Sequence, residues 1–369
     1  MRYRNHPTFR VAATAAALVC ARGALGGCGG SGADGPGGDG SDGAGDGGGA
    51  GGAGNRTVKL VTHGSFAASD EVLAQFTEET GFELEILPAD DAGAMVNQLI
   101  LTKDAPLGDA VFGIDSTFAS RAVDEGVLEP YTSSAAGAEQ DGYAADAAGQ
   151  LTAVDFSDVC VNADTREVAD GAGLTFDALA DARFKDQLVV ENPATSSVGL
   201  AFLLATIAAQ GEDGWLEYWR ALKANGVKVV AGWDEAYYAE FSGPSSQGTR
   251  PLVVSYASSP PSEVPDGASE PATAAALNTC FRQVEYAGVL KGAANPEGAR
   301  AAVDFLLSEA FQQDLPTQMW VYPVKPDTPL PDDWARFAPL ADDPWTLPAA
   351  DIAAHRDEWI AQFNDQILG

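Results

Sequence analysis

Basic residues are scarce: 21 Lys and Arg stand against 53 Asp and Glu, a formal charge of −32 over 369 residues. A chain of that sign repels a phosphate backbone, which excludes nucleic acid as a partner. Histidine is scarcer still, with only His6, His63 and His355. Neither His-Glu-x-x-His nor Gly-x-Ser-x-Gly occurs, so the signatures of zinc proteases and serine hydrolases are missing. No repeat of roughly 20 to 50 residues is present, and a solenoid is excluded with it. Cysteine is limited to Cys20, Cys28, Cys160 and Cys280.

The one long apolar stretch lies at the start. Arg2, Arg4, Arg10 and Arg22 accompany Val11 to Leu25 without an acidic residue in the first 27, the layout of an export signal. The run is too short and too Arg-interrupted for the roughly 20 apolar residues a bilayer span needs. Leu25-Gly26-Gly27-Cys28 has the form of a lipobox, in which small residues precede a cysteine that carries lipid. The expectation is a signal at residues 1–27, lipidation of Cys28, and a protein held on the outer face of the cytoplasmic membrane. Cleavage without lipid, or an uncleaved anchor, are the alternatives. Residues 28–56 are almost wholly Gly, Ala, Ser and Asp, with nothing to bury, and read as a flexible tether. With Cys20 and Cys28 in the leader, Cys160 and Cys280 remain. In an exported chain two otherwise unexplained cysteines predict a disulfide.

The rest alternates strand and helix patterns. Thr57 to Val61 is β-prone, and Ser69-Asp70-Glu71 opens a helical pattern that Gly81 stops. Phe82, Leu84 and Ile86 alternate with glutamates, Met95, Leu99 and Ile100 share a helical face, and Ala110 to Ile114 reads as a buried strand ending at Asp115. That βαβαβ order implies a parallel sheet with ligands beyond the carboxyl ends of its strands, where His63 to Phe66 and Asp115 to Thr117 fall. A second α/β set follows: strands at Gln187 to Val190 and Val227 to Val230, helices at Ser197 to Ala209 and Trp215 to Ala224. Leu252 to Tyr256 and Gln283 to Leu290 are further strands. The expected architecture is α/β with two lobes, residues 57–154 plus 286–369 and residues 155–285.

Val61-Thr62-His63-Gly64-Ser65-Phe66-Ala67, Phe112-Gly113-Ile114-Asp115, Asn192 to Leu200, Gly232-Trp233-Asp234-Glu235-Ala236-Tyr237, Val254-Ser255-Tyr256 and Pro316 to Val324 occur in one order along the chain. In that combination the sequence resembles the thiamine-binding proteins of bacterial ABC importers. The resemblance implies a type II periplasmic-binding fold, two mainly parallel sheets flanked by helices with the ligand between lobes. It also implies a monomer that is not an enzyme, uses no cofactor or metal, carries a thiamine-class small molecule and docks on a membrane permease.

A cationic thiazolium, a flat aminopyrimidine and, when phosphorylated, an anionic tail call for aromatic faces, a carboxylate and an anion nest. Trp233 and Trp320 are the aromatic candidates, against ordinary packing. Trp215, Trp219, Trp334, Trp345 and Trp359 are left to core or surface. Asp115 is the carboxylate, with a helix cap as its other reading. Thr195, Ser196 and Ser197 precede a helix whose free N–H groups suit a phosphate, again with capping as the plain reading. The resemblance adds Ser65, Tyr237, Tyr256 and Tyr322 to the ligand set. It also shows departures: Asp70 and Ser262 stand where the family carries aromatics, and His63-Gly64 where it carries Tyr-Asp. A ferric-iron binder with Tyr237-Tyr238 as oxygen ligands, a polyamine or other organic-cation binder, and a secreted hydrolase are the rival readings.

Overall fold

A computed structural model describes residues 55–145 and 149–369. The expected signal, lipidation at Cys28 and tether up to residue 54 lie outside the described residues.

The first β-α unit forms where the pattern places it. Strand β1 (Thr57–Thr62) leads to helix α1 (Asp70–Thr80), whose Ser69 cap accepts from the Val72 N–H at 3.4 Å and whose end turns at Gly81. Then come β2 (Glu83–Pro88), α2 (Ala92–Leu101), β3 (Ala110–Asp115), α3 (Ala119–Asp124) and β4 (Leu128–Glu129). Strand β1 pairs in parallel with β2 and β3. The second set consists of β5 (Thr152–Asp164), α4 (Phe176–Leu179), β6 (Leu188–Glu191), α5 (Ser197–Gln210), α6 (Trp215–Ala224), β7 (Lys228–Val230) and β8 (Leu252–Tyr256). Strand β9 (Thr273–Leu290) returns the chain to the first lobe. It is followed by α7 (Pro296–Leu306), α8 (Glu309–Gln318), β10 (Tyr322–Pro323), α9 (Trp334–Phe337) and α10 (Ala349–Phe363).

The sheet runs β2-β1-β3-β9-β5-β8-β6-β7, so both lobes share β5 and β9. One end of β9 pairs with β3, from Ala110↔Val289 to Asp115↔Glu285. The far half of β5 pairs with β8, from Val159↔Tyr256 to Ala163↔Leu252. Between them β5 and β9 run antiparallel through the middle of the protein, with a register shift between Val159 and Val161. The predicted disulfide sits at that shift, joining Cys160 to Cys280 across 120 residues.

Each lobe has its own apolar filling. In the first, Val58, Leu60, Phe76, Phe112, Phe305 and Phe311 are buried together. In the second, α5 is buried along nearly its whole length from Ser197 to Ile207, so it shows almost no polar face, as expected for a helix enclosed by other elements. The chain end closes this lobe: Phe363 meets Trp219 edge to face with ring centres 4.7 Å apart.

Candidate ligand-binding site

The two lobes meet along a shut cleft. One lip is the start of α2 and the other the loop before α5. The Ala94 N–H donates to the Thr195 carbonyl at 2.9 Å, and the Asn97 amide to the Ala194 carbonyl at 3.4 Å. Gly93 makes the approach feasible, since a Cβ there would lie 2.7 Å from the Thr195 carbonyl carbon. At the rim the exposed Ser65 hydroxyl donates to Asp234 at 3.1 Å.

Asp91, just before α2, is the residue that ties the lips together. One carboxylate oxygen accepts from the Ala92 N–H at 2.7 Å and the Ser197 N–H at 3.3 Å, the other from the Trp233 N–H at 2.9 Å. Ser196 adds its hydroxyl. Burial pushes the Asp91 carboxyl up, and the bonds from Trp233, Ser196, Ala92 and Ser197 pull against that shift.

The expected anion nest is therefore occupied by a side chain of the protein. Ser196 caps α5 by accepting from the Gly199 N–H at 3.3 Å. The Thr195 hydroxyl is within bonding reach of the Ala231 carbonyl at 2.6 Å and the Asn192 carbonyl at 3.4 Å.

Behind the lips lies a row of carboxylates. Across the three central strands Asp115 on β3 is registered opposite Glu285 on β9, and Glu285 opposite Asp155 on β5. Cross-strand partners share a face, so three acids stand side by side, an arrangement that like-charge repulsion opposes. All three are buried, and neither oxygen of Asp155 has a hydrogen-bond partner. Burial, then the neighbouring Glu285, hold the Asp155 carboxyl well up; burial, then Asp115, push Glu285 to about 8.

Asp115 differs from its two neighbours. It accepts from the Thr117 N–H (3.1 Å), the Thr117 hydroxyl (3.0 Å), the Phe118 N–H (3.3 Å) and the Gln283 amide (2.8 Å). Those four bonds use the lone pairs of a carboxylate. Asp115 fixes the turn into α3, while Asp155 receives no donor on either oxygen.

Aromatic residues flank the row. The Trp233 indole donates to the Ser255 hydroxyl at 2.9 Å and is stacked on Tyr237, ring centres 4.7 Å apart. Tyr237 thus takes one face of the indole. The Tyr237 hydroxyl is buried against Glu263, which, after burial itself, raises its pKa. Tyr238 is exposed and meets Trp233 edge on. Tyr256 stands 6.4 Å from Trp233 and reaches among the acids: burial, then Glu285, Asp91, Asp115 and Asp155, hold its hydroxyl protonated.

His63 completes the floor. Its Nε2 lies 3.6 Å from Glu285 and has no hydrogen-bond partner. Burial lowers its pKa to about 4, so the ring is neutral at pH 7 and forms no ion pair. The ring lies over Gly113, where φ is 98° and a Cβ would come within 2.3 Å of the imidazole. Only glycine suits that position.

Trp320 and Tyr322 belong to a second aromatic group with Trp334. Trp320 has a φ of 57°, a left-handed backbone uncommon for so large a residue, and its carbonyl accepts from the Ser258 hydroxyl. Its ring is half-buried against the Tyr322 and Trp334 group. Tyr322 is packed on Phe156 and Trp334, and its hydroxyl bonds to the Ala338 carbonyl.

Four buried or cleft-lining acids escape the sequence patterns: Asp91, Asp155, Glu191 and Glu285. Glu191 ends β6 fully buried with both oxygens unpartnered, and burial, then Asp91, raise its pKa well up. For Asp155 and Glu285 the signal is an isolated acid inside an apolar strand, as in Val154-Asp155-Phe156 and Val284-Glu285-Tyr286.

Two lobes sharing crossing strands around a polar cleft define a ligand-capturing binding protein. The chain belongs to the bacterial extracellular solute-binding protein family, whose model matches residues 108–343. It is similar to the thiamine-binding periplasmic protein of Escherichia coli K12, 27% identical over 318 residues that cover 82% of this chain and 91% of the relative. It is also similar to iron uptake protein A1 of Synechocystis, at 22% identity over 299 residues, covering 79% of this chain and 82% of the relative. A solved periplasmic thiamin binding protein matches the fold with a TM-score of 0.73 and 24% identity, covering 84% of this chain and 96% of that one. These relatives are two-lobed type II periplasmic binding proteins rather than enzymes, and an extracytoplasmic location goes with them.

Proposed function

We propose that this protein captures thiamine or a thiamine phosphate outside the cell membrane and delivers it to the permease of an ABC importer. The observation that carries the reading is the Asp115, Glu285, Asp155 row beside Trp233 and Tyr256. Three adjacent buried acids without a counter-ion destabilise a protein unless a cation joins them. A thiazolium supplies that charge, and the Trp233 indole offers stacking plus cation attraction of about 0.5 to 2 kcal/mol. The similarity to named thiamine binders supports the same ligand class.

In this proposal residues 57–154 with the chain from 286 onward, and 155–285, are the moving lobes, with the chain end packed on the second, where Phe363 meets Trp219. Residues 1–27 are the signal, Cys28 bears the lipid, and residues 28–56 let the body reach the permease as a monomer. Ligand enters when the Asp91 lip parts from Ser197 and Trp233, and closure expels water from the acids, which strengthens their hold on a cation. The carboxylate row also suits other organic cations, so polyamines form the second reading. Isothermal calorimetry with thiamine, its mono- and diphosphate, spermidine and ferric citrate tests both. Tight thiamine binding is expected; spermidine or ferric citrate as the sole binder would overturn the proposal.

A further inference from the structure

The lips present an unusual occupant. A helix start with free N–H groups and serine hydroxyls is where an anionic ester would bind. Here the donors at that place, Ser197 N–H, Ser196 hydroxyl and Trp233 N–H, all converge on the carboxylate of Asp91 from the opposite lobe. The Thr195 hydroxyl is engaged with the Ala231 carbonyl and the Ser65 hydroxyl with Asp234. Among the described residues no Lys or Arg bonds to Asp91, so a second anion would meet no positive side chain there. It would also face Glu191, whose pKa Asp91 already raises.

We propose that Asp91 is a specificity-determining residue, a built-in anion that fills the nest at the start of α5 on closure and selects the unphosphorylated cation over its phosphate esters. This rests on the thiamine-class reading. A monophosphate carries charge of the same sign as Asp91 and needs the same donors. To bind it, the chain must either stay open or expel Asp91 and break the Ala94 to Thr195 contact beside it. Unphosphorylated thiamine satisfies the acid row and leaves Asp91 in place.

Calorimetry on the full chain compares thiamine, thiamine monophosphate and inorganic phosphate for the unsubstituted protein, Asp91→Ala and Asp91→Asn. The unsubstituted protein is expected to prefer thiamine at least tenfold and to ignore inorganic phosphate. Asp91→Ala should cut that preference tenfold or more and gain stabilisation by inorganic phosphate in a melting assay. Asp91→Asn keeps the shape, turns one acceptor into a donor, and should shift the preference in the same direction; it decides the matter if Asp91→Ala does not fold. Equal affinities in the unsubstituted protein, or an unchanged preference in both variants, would overturn the proposal. If the unsubstituted protein binds neither compound, the thiamine reading falls, while the inorganic phosphate arm still decides the role of Asp91: a gain in either variant supports it and no gain in both refutes it.

Discussion

The two ends of the cleft solve opposite problems. At the lips, a helix end rich in donors meets an acid from across the gap, and the Asp91 carboxylate finds its donors within the protein. At the floor, Asp155 and Glu285 face each other across β5 and β9, each with its pKa raised by burial, and Asp155 with both oxygens unpartnered. The lips therefore hold the closed shape through bonds of their own. Under the proposed function the ligand's positive charge would lie over the strands, at acids that the fold holds at a cost.

The floor can be broken most severely by neutralising it. Asp155→Asn with Glu285→Gln should weaken thiamine binding by ~100-fold or more, since losing one side of a buried charge pair costs about 2 to 5 kcal/mol. The same variant should melt higher than the parent without ligand, because the repulsion is gone. Calorimetry and melting curves together check this. Unchanged affinity would place the cation elsewhere.

The pH dependence sharpens the contrast next. The folded Glu285 pKa of about 8 lies above its ordinary value of 4.5, so the folded state holds the extra proton and the ligand-free protein loses stability as pH rises through that interval. A cation favours the ionised acid, so thiamine affinity should rise by up to roughly tenfold per pH unit below pH 8, with proton release. His63 acts in the opposite sense. Lowered from 6.5 to about 4, its contribution is intact above 6.5 and is lost as pH falls toward 4. Ligand-free stability should therefore peak between those two effects, at roughly pH 6. Thermal melts across pH 4 to 9, with and without thiamine, give both curves, and a flat affinity profile would count against ionised Glu285 as the counter-charge.

Trp233→Ala should cost about tenfold in affinity, in line with one stacked cation contact. Its loss of the Ser255 bond at 2.9 Å makes Trp233→Phe the companion variant, expected to retain part of the binding. Least affected is the rim: Ser65→Ala removes one exposed bond to Asp234 and should change affinity by less than about twofold. A larger loss there would move the ligand toward the lips.

The apolar-periodic elements were readable in the sequence and the crossing strands were not. Ser69 and Gly81 bracket α1 as their chemistry requires, and the strand expected at Gln187 to Val190 forms at Leu188–Glu191. By contrast β5 carries Asp155, Ser157, Asp158, Asn162 and Asp164 among its apolar residues. Buried on both faces, it has no alternation to betray it. The first half of β9, Thr-Ala-Ala-Ala-Leu-Asn, is poor in strand formers, so only its end at Gln283 to Leu290 stood out. For the same reason the site was half legible. Trp233 and Tyr256 follow from the resemblance and the Ser196 cap from local pattern, while the acid row exists only through the register of three strands distant in sequence.

The bond between Cys160 and Cys280 limits how this cleft can open. A ribbon of two strands fastened at its middle cannot let one strand creep along the other, so the lobes are confined to bending and torsion about a fixed line. The link behaves as a leaf spring rather than a slide. Each closure then returns Asp91 to the same three donors, and each opening sets the acid row before the solvent in the same orientation.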